Sequence, residues 1–304
     1  MNMSSLISQM LVLFLVLALG YIGNKAKILN SGSNKHLSAL ILNIAMPCTV
    51  LNSVMNGSVS TTGREALTFM LFSLVSFAII YLIAWPVPRL LRSPKEDYGI
   101  IRFLLAFGNI AFMGYPVIQA IYGDGALFYV TLLNIPFNLL LFSLGIILTS
   151  GKREKLNLKL FLTPTLFTSV ASVLIFAFNI SMPKIIVDTT ALVGHMTTPG
   201  AMLIIGSTLA EIPFREVFSE KRLYPVVFVR LILIPVVTWL VLRLFVSDAQ
   251  TLGILMVEAA MPTATAGTML SLQYGGNDKL ASKGVFLTTL FSVVTIPLLL
   301  YLLF

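Results

Sequence analysis

The sequence predicts an all-α integral membrane protein of ten transmembrane helices, arranged as two inverted five-helix repeats. Three observations carry this. Hydrophobic residues make up 57% of the 304 and charged residues only 11%, too few to cover a soluble domain of this size. Apolar stretches of roughly 20 residues, enough to cross a bilayer as a helix, recur along the chain, without the short alternating segments of a membrane barrel. A shift of 152 residues also lays polar and turn-forming positions of one half on those of the other.

In order, the predicted spans cover residues 5–23, 37–55, 66–90, 98–122, 126–149, 164–180, 185–210, 223–245, 250–274 and 281–304. The first reads as a retained helix rather than a signal peptide, since no Lys or Arg precedes it and no small-residue cleavage pattern follows. Sixteen of the twenty Lys and Arg fall in the loops after spans 1, 3, 5, 7 and 9. The opposite side keeps Arg64, Lys184 and Arg243, while Arg230 lies within span 8. Basic loops stay cytoplasmic, so both termini are expected outside the cytoplasm, in a multi-pass protein of the cytoplasmic (inner) membrane. The net charge of +8 then reports loops facing anionic lipid, with the bilayer rather than nucleic acid as partner.

Residues 1–149 are read as the first repeat, 150–160 as a short cytoplasmic connection and 161–304 as the second repeat. The 152-residue shift pairs Asn43 with His195, Pro47 with Pro199, and Tyr122-Gly123 with Tyr274-Gly275. Five spans per half force the second copy to insert upside down.

Two spans carry residues that a smooth membrane helix avoids. Residues 107–123 read FGNIAFMGYPVIQAIYG, and residues 258–275 read EAAMPTATAGTMLSLQYG. Interrupted helices in matching places of two halves point to the binding site of a secondary transporter. In the first, Asn109 offers an amide either to an anion, beside backbone N–H groups freed by the break, or to a neighbouring helix. Gly114 loosens the helix next to Pro116, and in the second Pro262 stands with Thr263 and Thr265; the two prolines are the candidate break points. Glu258 is a mid-span carboxylate, read either as a coupling site for a proton or sodium or as the ion-pair partner of Arg230. Arg230 could instead fork onto a substrate carboxylate. Asn43 and His195 sit one turn before their prolines and are candidates for lining the site from the other side.

One cysteine and two histidines give no metal-ligand set, and no HExxH or phosphate-loop motif is present. No cofactor or metal is expected, and no catalytic pair that would make the chain an enzyme. Any driving force comes from an ion gradient, H+ or Na+, or from the substrate itself.

At these motifs the chain resembles the auxin efflux carrier family, including its bacterial carboxylate-permease members. GYIGNKAKIL at 20–29 and LILNIAMP at 40–47 are similar to that family's opening. GNIAFMGYP at 108–116, followed by IYGDGALFY at 121–129, resembles its fourth-span signature. The run from EAAMPTATAGTM at 258 to VVTIP at 297 resembles its ninth and tenth spans. The resemblance implies a scaffold of helices 1, 2, 6 and 7, a transport domain of helices 3–5 and 8–10, and crossing breaks in helices 4 and 9. It implies that Asn109 lines the site, and that substrates are small organic anions, mostly mono- or dicarboxylates. A homodimer is the candidate assembly. The connection at 150–160 is short, as in compact prokaryotic members rather than the plant carriers. The function expected is a secondary transporter working by alternating access, with an anion channel or an uncoupled carboxylate uniporter or exporter as the alternatives.

Overall fold

The computed structural model describes residues 3–55, 61–150, 163–211 and 217–303, with the side chains of 3–7 and 9 left undescribed. The predicted connection at 150–160 therefore lies almost wholly outside the described residues. The described chain is helical, and its only extended pairing is a single bridge.

In order, the helices are α1 (Met3–Lys25), α2 (Ser31–Met55), α3 (Gly63–Leu90), α4 (Tyr98–Ala106), α5 (Ile110–Tyr122), α6 (Asp124–Ser150) and α7 (Pro164–Ala177). They continue as α8 (Lys184–Gly194), α9 (Thr197–Glu211), α10 (Leu223–Leu242), α11 (Ala249–Ala260), α12 (Ala266–Tyr274) and α13 (Asp278–Leu303). Five of these, α2, α3, α6, α10 and α13, are long and apolar enough to cross a membrane, and shorter apolar helices accompany them. The described residues are thus those of an all-helical, multi-pass membrane protein.

As the sequence predicts, residues 98–122 and 250–274 are interrupted, each being two helices separated by extended backbone. The differences from the predicted spans have backbone causes. Residues 185–210, expected as one span, are divided at His195–Met196. Pro199 has no N–H for the carbonyl four residues earlier, and Met196 N–H closes a tighter turn on Val193 O at 3.2 Å.

Other prolines are absorbed without a break. Wide π-turns at Ile41–Ala45, Ile110–Gly114 and Val229–Leu233 end two residues before Pro47, Pro116 and Pro235. A proline ring clashes with the carbonyl four residues back. A turn closed over five residues, such as Met46 N–H to Ile41 O or Ile234 N–H to Val229 O, moves that carbonyl aside. A fourth π-turn, Leu141–Gly145, has no proline after it. The helices ending in Tyr122 and Tyr274 both stop at a glycine with positive φ, Gly123 at 79° and Gly275 at 75°, where a side chain would be strained.

The chain folds into two compact units of discontinuous sequence: Met1–Met70, Ala111–Pro136 and Leu158–Ile212 in one, Leu71–Ile110, Phe137–Asn157 and Pro213–Phe304 in the other. In the first, α1 lies along α9 with backbones close together. A Cβ on Gly20 would meet the Leu203 carbonyl, and one on Gly206 the Leu17 carbonyl. Asn24 donates to Ser207 Oγ at 3.0 Å and Lys25 Nζ to Ala210 O at 2.9 Å, tying the ends of the two helices. Against α2 pack α7 and α8. There Thr49 Oγ1 shares hydrogen bonds with Gly194 O (2.9 Å) and Thr197 Oγ1 (2.8 Å).

In the second unit α10 packs on α11 and α13, and α12 on α13. One end is tied by charge. Arg222 reaches Asp97 at 3.1 Å and Glu220 at 2.8 Å, Lys283 lies 4.0 Å from Glu220, and Asn277 donates to Asp97 at 2.8 Å. The hydrogen bond from Arg222 holds the Glu220 carboxyl below its ordinary range. Its stabilisation is therefore complete above the unfolded carboxylate value, about 4.3, and is lost as pH falls through the lower folded value. In thermal unfolding of detergent-purified protein, wild type and Glu220→Gln should run parallel above about pH 5. The wild-type advantage should shrink in more acid solution, and an advantage that stays constant down to acid denaturation would contradict this.

Candidate functional site

The site is built where α4 and α11 stop. After Ala106 the chain turns extended at Phe107 (φ −105°, ψ 111°), and after Ala260 it turns extended at Met261 (φ −60°, ψ 142°). The two breaks then pair with each other as a miniature antiparallel bridge, Gly108 opposite Thr263. Asn109 N–H donates to Pro262 O at 2.7 Å, and Ala264 N–H donates to Phe107 O at 2.9 Å. Each break supplies what the other lacks, because backbone that leaves a helix inside a membrane has no water to turn to.

The end of α4 leaves carbonyls without helical partners. Thr263 Oγ1 donates to Leu104 O at 2.6 Å, and Arg230 Nη1 donates to Leu105 O at 3.0 Å. Thr263 N–H is in turn taken by Thr288 Oγ1 at 3.2 Å. Arg230 is only 1% exposed, so this guanidinium lies at the negative end of α4's dipole with little solvent to screen it. Gly108 makes room for it: a Cβ there would stand 2.5 Å from Arg230 Nη2 and 3.4 Å from the Glu258 carbonyl. On another side Phe107 is walled by aromatic rings, stacked on Phe103 with centroids 4.7 Å apart and edge-on to Tyr81 and Phe137.

Glu258, in the last turn of α11, is 5% exposed, and neither carboxylate oxygen accepts a hydrogen bond among the described residues. Its charge interacts with that of Arg230, yet the two are not within ion-pair distance; the described ion pairs all belong to the Asp97–Glu220 cluster. The ion-pair reading of Glu258 is therefore not the arrangement seen, and Arg230 spends one arm on the backbone instead. Asn109 is buried beside the bridge that its own N–H makes. Thr265 precedes α12, whose first turn no side chain caps.

Of the predicted site residues, the structure gathers Asn109, Pro262, Thr263, Arg230 and Glu258 in the second unit. Pro116 is not at its helix's break, which lies at 107–109; Pro116 stands in the first turn after the π-turn that contains Gly114. Asn43 is exposed and donates to Ala39 O in its own helix at 2.8 Å. His195 is exposed at the end of α8, lining a small cavity of the first unit with Asn52, Gln119 and Asp124. Gly108 is legible in the sequence as a residue that loosens the interrupted helix, though not as the space for Arg230. Thr288, on α13, has no local signal.

The paired helix breaks around a buried guanidinium and a buried carboxylate belong to a membrane transport protein, not an enzyme, as the family match shows. The chain belongs to the membrane transport protein family, the auxin efflux carriers, whose profile matches residues 5–158 and 152–300. It is 25% identical to an uncharacterized transporter of Methanocaldococcus jannaschii over 95% of this chain and 96% of that protein. It is 22% identical to the uncharacterized transporter YfdV of Escherichia coli K12 over 97% and 96%. It is 25% identical to a protein of Rhizobium meliloti named "Putative malonate transporter" over 88% and 86%.

The packing makes Gly108 and Thr263 stability determinants. Gly108→Ala should cost about 1–3 kcal/mol by displacing the Arg230 guanidinium. Thr263→Val should cost about 1–3 kcal/mol by orphaning the Leu104 carbonyl. Thr265→Val, which removes no side-chain cap, should unfold like wild type. Melting curves in detergent check all three, and equal melting of Gly108→Ala and wild type would refute the packing argument.

Proposed function

We propose that this chain is a secondary transporter of a small organic anion, a mono- or dicarboxylate, working by alternating access. The observation that carries the reading is the fully buried Arg230 guanidinium set against the paired breaks. A permanent positive charge in the hydrocarbon is costly, and α12 begins beside the second break with no side chain capping its first turn. Both favour a negative ligand. The relative from Rhizobium meliloti, named for malonate, supports a carboxylate.

In this reading the chain forms ten spans in two inverted repeats, with helices 4 and 9 crossing at the breaks and both termini outside the cytoplasm of the inner membrane. Helices 3–5 and 8–10 form the transport domain and move against the scaffold of helices 1, 2, 6 and 7. Asn109, Thr265 and the remaining donors of Arg230 hold the carboxylate. Glu258 takes the coupling ion, since a buried carboxylate without a hydrogen-bond donor needs a proton or cation to satisfy its oxygens. No cofactor takes part, and a homodimer is the assembly proposed.

Two measurements test this. Purified protein screened by thermal shift should be stabilised by malonate or another small carboxylate, and the same compound should drive saturable counterflow in proteoliposomes. Stabilisation by amines or neutral solutes alone would overturn the anion assignment, and flux without counterflow would favour a channel. Glu258→Gln should bind the anion yet lose the dependence of transport on a pH or sodium gradient. Unchanged gradient dependence in that variant would remove Glu258 from coupling.

A further inference from the structure

The chain's two tryptophans stand in the same five-residue frame, Trp85-Pro-Val-Pro-Arg89 near the end of α3 and Trp239-Leu-Val-Leu-Arg243 at the end of α10. In both, a guanidinium covers the indole, as suits residues at a membrane–water boundary. At Trp239 the cover is the frame's own arginine, with Arg243 Cζ 4.4 Å from the ring centre. At Trp85 it is a different one. Arg102, on α4, places its Cζ 3.8 Å from the Trp85 ring centre and donates from Nε to Trp85 O at 3.1 Å, with the Tyr98 ring 5.6 Å away.

That substitution leaves Arg89 over. Its side chain is exposed and, among the described residues, has no hydrogen-bond or ion-pair partner, while its charge acts on that of Arg102. Arg89 stands four residues, about one helical turn, after the Trp85 that Arg102 covers, and among the described residues neither guanidinium has a carboxylate within ion-pair distance. The same end of α3 exposes apolar side chains: Leu82 is 75% exposed, Leu90 74% and Trp85 51%. Acyl chains suit the leucines, and a phosphate suits the paired forks.

We propose that Arg89 and Arg102, with Trp85, form a binding site for the phosphate of an anionic phospholipid. A free phosphate would leave the exposed leucines unused, and a zwitterionic headgroup would bring a cation to an already cationic place. The matching frame at Trp239 carries one arginine already stacked on its ring, so it anchors without selecting lipid charge.

Native mass spectrometry of delipidated protein, titrated with phosphatidylglycerol or with phosphatidylcholine of the same chains, reads this directly. Phosphatidylglycerol should be retained in preference. Arg89→Gln should weaken its retention roughly fivefold, and adding Arg102→Gln should weaken it by a similar factor again. Arg243→Gln should leave it unchanged. Arg89 has no partner to lose, so its variant folds like wild type, and the melting temperature in phosphatidylcholine verifies that. Equal retention of the two lipids, or undiminished phosphatidylglycerol retention by Arg89→Gln, overturns the proposal. Displacement of phosphatidylglycerol by equimolar inorganic phosphate would show instead a site for free phosphate and overturn the lipid assignment.

Discussion

Two backbone hydrogen bonds, Asn109 N–H to Pro262 O and Ala264 N–H to Phe107 O, are the constraint around which the second unit is arranged. Inside a bilayer an unsatisfied peptide group costs several kcal/mol, so neither α4 nor α11 could stop alone. They stop together and exchange the bonds each has lost. The remaining carbonyls at the end of α4 then dictate their neighbours. Leu104 needs a donor and receives the Thr263 hydroxyl; Leu105 needs one and receives Arg230. Gly108 follows, since any side chain there would stand where the guanidinium lies.

The prolines illustrate how differently one chemical defect can be handled. Pro47, Pro116 and Pro235 all lack a donor inside apolar helices, and each is preceded by a π-turn that widens the helix without severing it. Pro262 alone among these four stands in extended backbone, where its carbonyl becomes an acceptor for the opposite break. What separates the cases is the presence of a partner strand. A lone proline can be accommodated by its own helix or, as before Pro199, by a tight turn, whereas the break into extended backbone at Pro262 is matched by a second break beside it.

Arg230 and Glu258 give the site its polarity. The guanidinium meets the negative end of α4 and is half spent on structure, so its charge persists while its geometry is held. The carboxylate lies near it without touching it. The two are not closed into an ion pair with each other. Membership of a membrane transport family along nearly the whole chain agrees with a site that binds and releases rather than reacts.

Much of this was legible in the order of residues. Composition and apolar run length alone determine that the chain is helical and lives in a membrane, because the bilayer admits few other solutions. The run of Gly108, Asn109 and Gly114, and that of Glu258, Pro262 and Thr263, mark the two irregular helices, since such residues are costly in hydrocarbon. Where the first helix breaks was misplaced at Pro116, and the division at His195–Met196 was unseen, because local sequence records a missing donor but not who replaces it. Only the tertiary structure decided that Phe107–Asn109 pairs with Pro262–Ala264, that Arg230 caps Leu105 rather than Glu258, and that Thr288 supports Thr263. Those are bonds between residues far apart in the chain, and their energies depend on distances that no local pattern encodes.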